Sequence, residues 1–300
     1  MKIVLLGYGG ILGKSLSDQI NNIYPVSLRE KGWERKIFNS NVIINLIGKT
    51  YSDLASKEDY YYANVEVTKI VFREFVKSSS ELFIHISSLA ALEEFESFRT
   101  LKEDDVCYPK SAYGYSKRAA EEWLLSQVLP IGKKIIILRP PMVHGPGDKG
   151  NLSLLYKIVR KGMPYPLSSF DNKRSFIAID NFCFFIEQII RNHSRMESGI
   201  YHIADDEPVS TKRIIEIIKE VTGRKVINIR LPKMVVHVIA KLGDVLPFPL
   251  NTRRLKKMTS DLLVSNNKIK EALGIEELPL TAEQGIEKTI RSFEIRAQNY

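Results

Sequence analysis

Along the first half of the chain, short apolar runs alternate with amphipathic stretches. Ile3–Leu6 is apolar and short, which predicts a strand, and Ile11–Ile20 repeats its apolar positions at helical spacing. Tyr24–Leu28 reads as a weak strand. Val42–Ile47 is nearly all apolar, as a strand buried on both faces must be. Val65–Val76 is an amphipathic helix, Leu82–Ile86 a strand, Ser116–Gln127 a helix and Ile135–Leu138 a strand. This β-α-β-α order predicts a parallel sheet with helices on both faces. The span from Leu28 to Val42 is too short for a full crossover helix, so that connection is expected to be abbreviated.

Beyond "RPPMVHGPGDKG" the pattern is less regular. Leu152–Lys161 reads as a helix that Pro164 and Pro166 break, and Phe176–Ile179 and Ile200–Ile203 read as strands. Ser210–Val221 is a helix closed by Gly223, and Lys233–Leu242, Asn267–Leu273 and Ala282–Arg296 follow as helices. In "LPKMVVHVIAKLGDVLPFPL", Val235, Val236, Ile239 and Leu242 fall on one helical face. Packing into a cap is the expected fate of that face, and a membrane surface is the other. No internal repeat or low-complexity segment interrupts the chain. The expected architecture is α/β: a doubly wound parallel sheet (residues 1–165, with 175–205 returning to it) and a smaller, mostly helical C-terminal cap (166–174 and 206–300).

Composition narrows the class. At 300 residues, 44% hydrophobic and 26% charged, the chain can form one large domain or two modest ones. Its two cysteines, Cys107 and Cys183, stand far apart at no metal or redox spacing, so neither disulfides nor a metal site is expected. The apolar run after Met1-Lys2 stops at Gly7, too short for a signal peptide, and no stretch approaches the ~18 apolar residues of a membrane span. A cytoplasmic protein is expected. The net charge of +9 is spread in scattered residues and pairs, without a long basic run or a nucleic-acid motif. An anionic small substrate therefore suits it better than nucleic acid.

Three motifs suggest chemistry. In "LLGYGGILGKSL", Gly7, Gly10 and Gly13 follow a strand and open a helix. That pattern permits a tight turn, close approach of backbone to a pyrophosphate, and close helix packing, with the phosphate at the helix N-terminus. A plain glycine turn is the alternative. At the end of the next strand, "PVSLREKG" offers Arg29, suited to the 2′-phosphate of NADP. If Glu30 turns inward instead, NAD is preferred. Ser87 and Ser88 close the strand in "FIHISSLAAL", at the sheet edge where doubly wound folds bind ligands. Finally, "SAYGYSK" places Tyr113 and Lys117 four apart, so that on a helix they share a face.

Together these motifs resemble the extended short-chain dehydrogenase/reductase superfamily, the NAD-dependent epimerase/dehydratase group. "KEDDVCYPKSAYGYSKRAAEEWL" is similar to its acidic-Pro-x-Ser-x-Tyr-Gly-x-Ser-Lys stretch, and "ILRPPMVHGPG" to its Arg-Pro-x-x-Val-x-Gly-Pro loop. "NVIINLIG" is similar to its third strand, without the usual Ala-Ala ending. The resemblance spans nearly the whole chain. It implies a catalytic Tyr113, Lys117 and Ser88. It also implies cofactor contacts at Gly7, Gly10, Ile11, Leu12, Gly13, Arg29, Leu46, Ile47, Gly48, Tyr113, Lys117, Pro140 and Val143. Tyr115 matches a variable position. A free tyrosine has a pKa near 10, and the neighbouring Lys117 ammonium is expected to lower that of Tyr113 toward the operating pH.

"GDKGNLSLLYKIVRKGMPYPLSSFDNKRSFIAIDN" resembles nucleotide-sugar epimerases and reductases. The implied contacts to the sugar nucleotide are Asn151, Arg174 and Arg254, with Ser88 at the sugar. Sugar 4,6-dehydratases carry Thr-Asp-Glu where Ser88-Leu89-Ala90 stands, which argues against elimination. Galactose epimerases usually carry Tyr-Gly where Leu92-Glu93 stands. The leading expectation is reduction of a UDP-4-keto-6-deoxy-hexosamine with NADPH, in surface-polysaccharide synthesis. A nucleotide-sugar 4-epimerase using NAD follows. A non-catalytic NADP-binding sensor or assembly subunit is the alternative of another class, and such relatives typically lose the tyrosine or the lysine. A homodimer through the helix of Tyr113 is expected by analogy.

Overall fold

A computed structural model of the chain describes residues 1–50, 54–148, 150–162, 170–224, 231–246 and 251–298. Pro164 and Pro166, expected to break a helix, lie outside the described residues. Six parallel strands form the main sheet: β1 (Ile3–Leu6), β2 (Ile23–Val26), β3 (Val42–Asn45), β4 (Leu82–Ile86), β5 (Lys134–Arg139) and β8 (Gly199–His202), in the order β2-β1-β3-β4-β5-β8. Side chains alternate between its two faces. Ile3, Leu5, Val42, Ile44, Leu82 and Ile84 pack on one side with α1 (Ile11–Gln19) and α7 (Ile179–Asn192). Val4, Leu6, Ile43, Phe83 and Ile135 pack on the other with α2 (Trp33–Phe38), α4 (Val67–Lys77) and α5 (Ala112–Leu125). The expected doubly wound fold is thus present, and the short β2–β3 crossover holds the six-residue α2.

A separate core gathers the C-terminal helices. Leu152, Leu155 and Val159 of α6 (Asn151–Arg160) meet Ile214 and Ile218 of α8 (Thr211–Thr222) and Ile286 and Ile290 of α12 (Ala282–Gln298). Smaller contributions come from α9 (Lys233–Leu242) and α10 (Thr252–Thr259), and α11 (Asn267–Leu273) packs instead on the sheet side. A two-stranded sheet of β6 (Met142–His144) and β7 (Phe176–Ala178) lies between the cores, with Ile177 in one and Phe176 in the other.

Several boundaries differ from the sequence pattern. β2 ends at Val26, and Leu28 and Arg29 form a turn. The helix expected from Val65 begins at Ser56, whose capping box with Asp59 opens α3 (Lys57–Tyr61), and it passes through a wide π turn (Tyr62–Glu66) into α4. Ile179 starts α7 instead of ending a strand, and the helix follows β7 with no intervening turn residue. α5 begins at Ala112, with Ser111 capping the Gly114 N–H, so Tyr113 is helical. On α9 only Val236 and Ala240 are buried. Val235, Ile239 and Leu242 are exposed, contrary to the expected packing.

Candidate active site

The carboxyl ends of β1, β3, β4 and β5 open on one edge of the sheet, and a cavity of about 420 Å³ lies there between the sheet and the C-terminal helices. Leu12, Leu46, Gly48, Pro140 and Val143 line its sheet side; Asn151 and Arg174 line its far side. Ser88, Tyr113 and Lys117 stand in the same cavity. Two larger, more open surface grooves, one along α3 and α5 and one beside Leu92–Ser111, contain neither Tyr113 nor Lys117.

Close packing sets α5, the helix of Tyr113 and Lys117. A Cβ on Gly114 would lie 2.4 Å from the Ala90 carbonyl oxygen, so only glycine lets α5 sit against the turn Leu89–Ala91 that follows Ser88. Tyr113 then faces the cavity beside Tyr60, ring centroids 6.0 Å apart, while Tyr115 points to solvent. Lys117, four residues on, is buried, and its Nζ donates to the Ile86 carbonyl at 3.0 Å. A Cβ on Gly48 would come within 2.6 Å of Asn64 Oδ1 and 3.0 Å of Lys117 Nζ, so the glycine leaves room for both.

The electrostatics reverse one expectation. Burial pushes the Tyr113 phenol above its ordinary value; hydrogen bonding with Ser88 works the other way, and the Glu94 charge adds to the rise. Desolvation dominates, so Tyr113 is protonated at neutral pH. Burial likewise pushes Lys117 down to about 8, with the Glu121 carboxylate opposing it. Glu121 is itself buried. It accepts from Arg139 Nε at 2.9 Å and Nη2 at 2.7 Å, and from the Ser87 hydroxyl at 2.5 Å. Ser87 is thereby tied to α5, and Ser88 is the hydroxyl beside Tyr113.

The glycine loop is suited to a dinucleotide phosphate. Gly7 adopts φ +81°, and a Cβ there would be 2.8 Å from the Ile47 nitrogen. A Cβ on Gly13 would be 2.3 Å from Tyr8 Cα, so α1 folds tightly onto its own loop. Gly10, the residue before α1, faces open space; no side chain caps the helix and its first turn holds no acid. Free N–H groups beside empty space favour an anion. Ile11 is partly exposed at that helix start, and Ile47 packs under the loop. Arg29 is exposed in the turn after β2, whose strand runs in register with β1, while Glu30 is held by Lys36.

The far wall is cationic. Arg174 is 9% exposed and donates from Nη1 to the Phe95 and Ser260 carbonyls at 2.9 and 3.0 Å. Burial lowers it to about 10, Asp261 opposing, so it stays charged at neutral pH. Arg254, expected to contact substrate, lies instead on the exposed side of α10, outside the cavity wall; Lys257 and Met258 line that wall. Lys257 reaches Glu94 at 3.3 Å, and Arg253 reaches the same carboxylate at 2.6 Å. Burial pushes Glu94 up, but Ser111, Lys257 and Arg253 outweigh it and hold it below the usual carboxylate value.

Sequence reasoning missed Asn64, Glu94, Glu121 and Lys257. Asn64 is buried on the π turn, accepting from the Lys49 N–H at 2.8 Å and donating to the Ser116 hydroxyl at 2.8 Å. Its only signal was a polar residue directly before the apolar period of Val65–Val76. The other three look like surface charges in the sequence.

The family model described as "NAD dependent epimerase/dehydratase family" matches residues 6–204. A UDP-glucose 4-epimerase of Vibrio cholerae is 27% identical over 242 residues, 80% of this chain and 71% of that protein. An Escherichia coli O157:H7 protein, N-acetyl-alpha-D-glucosaminyl-diphospho-ditrans,octacis-undecaprenol 4-epimerase, is 21% identical across 96% of this chain and 94% of its own length. Among solved structures, UDP-glucuronic acid 4-epimerase from Bacillus cereus, in complex with NAD, superposes with a TM-score of 0.76. It is 16% identical and covers 98% of this chain and 99% of that one, a likeness of fold.

Proposed function

The chain belongs to the NAD dependent epimerase/dehydratase family, within the extended short-chain dehydrogenases/reductases, and from that premise we propose that it is an NADPH-dependent reductase of a nucleotide-linked 4-keto-6-deoxy-hexosamine. The observation that carries this reading is the shared cavity: Ser88, Tyr113 and Lys117 on one side, Asn151 and Arg174 on the other. Bound at the glycine loop and along Leu12, Leu46, Gly48, Pro140 and Val143, the dinucleotide would supply hydride chemistry at the sugar carbon. The protein's own groups manage the oxygen on that carbon. Tyr113, protonated at neutral pH, donates its phenolic proton to the carbonyl oxygen as it becomes a hydroxyl. Ser88 shares that oxygen by hydrogen bonding and fixes its position. The Lys117 ammonium holds the ribose and offsets negative charge left on the phenol. Asn151 and Arg174 hold the diphosphate, for which a buried guanidinium is well suited.

One observation favours NADPH, and with it reduction: Arg29 is exposed in the turn after β2, a position suited to recognising a 2′-phosphate, and Glu30 is engaged by Lys36. A second reading, 4-epimerisation of a UDP-glucose or UDP-GlcNAc type sugar with retained NAD, is supported by the 4-epimerase names of both sequence relatives. The test is to identify the nucleotide that copurifies and then mix the protein with UDP-4-keto-6-deoxy-GlcNAc and NADPH. One NADPH consumed per ketone reduced is expected. Tightly held NAD with no NADPH consumption would remove the reductase reading.

A further inference from the structure

The helix α9 has an unusual distribution of apolar residues. Val236 and Ala240 fix its buried side. Around the rest of the helix, Met234 (81% exposed), Val235, Val238, Ile239 and Leu242 form a continuous apolar arc, extended by Val245 (87% exposed) in the next turn. A soluble cap gains nothing from such an arc facing water. Helix α10 packs against α9. Between them, residues 231–246 and 251–259 hold six basic residues and one acid, Asp244, which is bound by the Thr252 N–H and hydroxyl. Glu94 and Glu96 from the loop after β4 pair with Arg253, Lys256 and Lys257, while Lys233 and Lys241 on α9 are exposed.

We propose that α9 lies flat in the interface of an anionic lipid bilayer, its apolar arc among the acyl chains and its lysines at the headgroups. An apolar face bordered by lysines is the pattern of a helix lying in the membrane plane. Spanning is excluded for α9, a ten-residue helix, and no helix among the described residues is long and apolar enough to cross. A second copy of the chain is the weaker occupant: a two-fold contact would bring the same basic helices together, like charge on like charge. Negatively charged headgroups complement that excess. Because α10 also supplies Lys257 and Met258 to the catalytic cavity, docking would bring the cavity wall within one helix of the bilayer.

The test is co-sedimentation of the full chain with vesicles of phosphatidylcholine alone or mixed with phosphatidylglycerol. Expected is binding to the mixed vesicles that falls about tenfold or more on pure phosphatidylcholine, and again in about 0.5 M salt. Val238→Glu with Leu242→Glu, both exposed and outside the cavity, should lower binding about tenfold or more at an unchanged melting temperature. Lys233→Glu with Lys241→Glu leaves the apolar arc intact and should weaken binding to anionic vesicles alone, which keeps the test open if the first variant fails to fold. No sedimentation, equal binding to both vesicles, or unchanged binding by both variants would overturn the proposal. So would a dimer that Val238→Glu with Leu242→Glu dissolves, in a protein that ignores vesicles.

Discussion

Replacing Lys117 with methionine should abolish turnover and make the protein more stable. Lys117 is buried, and burial holds its ammonium at a pKa of about 8 instead of 10.5. At about 1.4 kcal/mol per pKa unit, the folded protein carries the charge at a cost of about 3 kcal/mol near neutral pH. Methionine has nearly the same length and carries no charge, so that cost disappears. The Ile86 carbonyl loses its 3.0 Å donor, which costs about 1 kcal/mol. The net gain is about 2 kcal/mol. The sign depends on pH in a defined way. Between about 8 and 10.5 the unfolded chain still binds the proton that the folded protein has released, so wild-type stability rises with pH across that window. The advantage of Lys117→Met is therefore full below pH about 8 and fades toward 10.5. Urea unfolding of both proteins near neutral pH and again near the upper limit tests this. A variant less stable than wild type at neutral pH, or an advantage that does not change with pH, would show that burial of the ammonium is not the cost assigned to it.

Other variants examine neighbouring supports. Glu121→Ala leaves Arg139 buried and unpaired and should cost about 3–5 kcal/mol in urea unfolding, most of it recovered when Arg139→Met is added; an equal cost in the double variant would contradict this. Gly114→Ala forces a methyl to 2.4 Å from the Ala90 carbonyl, and should cost about 1–3 kcal/mol while lowering kcat far more than dinucleotide affinity. Arg29→Ala should weaken NADPH binding about tenfold, the worth of one hydrogen bond to a charged group, and leave NADH unchanged; equal effects on both in a fluorescence titration would count against the NADPH assignment.

The inner strands were legible because they are buried on both faces and read as nearly unbroken apolar runs, as at Val42–Asn45 and Leu82–Ile86, whereas the half-exposed β2 reads weakly. Helix α7 was overlooked although Phe182, Cys183, Ile186, Ile189 and Ile190 recur at helical spacing, because it follows the strand at Phe176 without an intervening turn residue. Helix α10, "TRRLKKMT", is too polar for a period to show. The residues of the site with a local motif, the glycine loop and Tyr113-x-x-x-Lys117, could be read directly. Asn64, Glu94 and Glu121 could not. Each becomes part of the site only through contacts 15 or more residues away, with Lys49, Arg253 and Arg139. The expected lowering of Tyr113 is not found, because desolvation, which a pair rule leaves out, dominates both groups. Which basic residue of α10 faces the cavity, Lys257 in place of Arg254, was not legible, because sequence gives the charge of a helix before the side that faces inward.

In the proposed reaction Tyr113 moves the proton at the sugar oxygen while hydride moves at the carbon bearing it. The direct measurement is deuterium transfer from the 4-deuterated reduced dinucleotide to C4 of the sugar, in wild type and in Tyr113→Phe. Wild type should give sugar labelled at C4, and Tyr113→Phe should bind the dinucleotide with wild-type affinity and transfer no label. Label transferred by the phenylalanine variant at a rate near wild type would contradict the account.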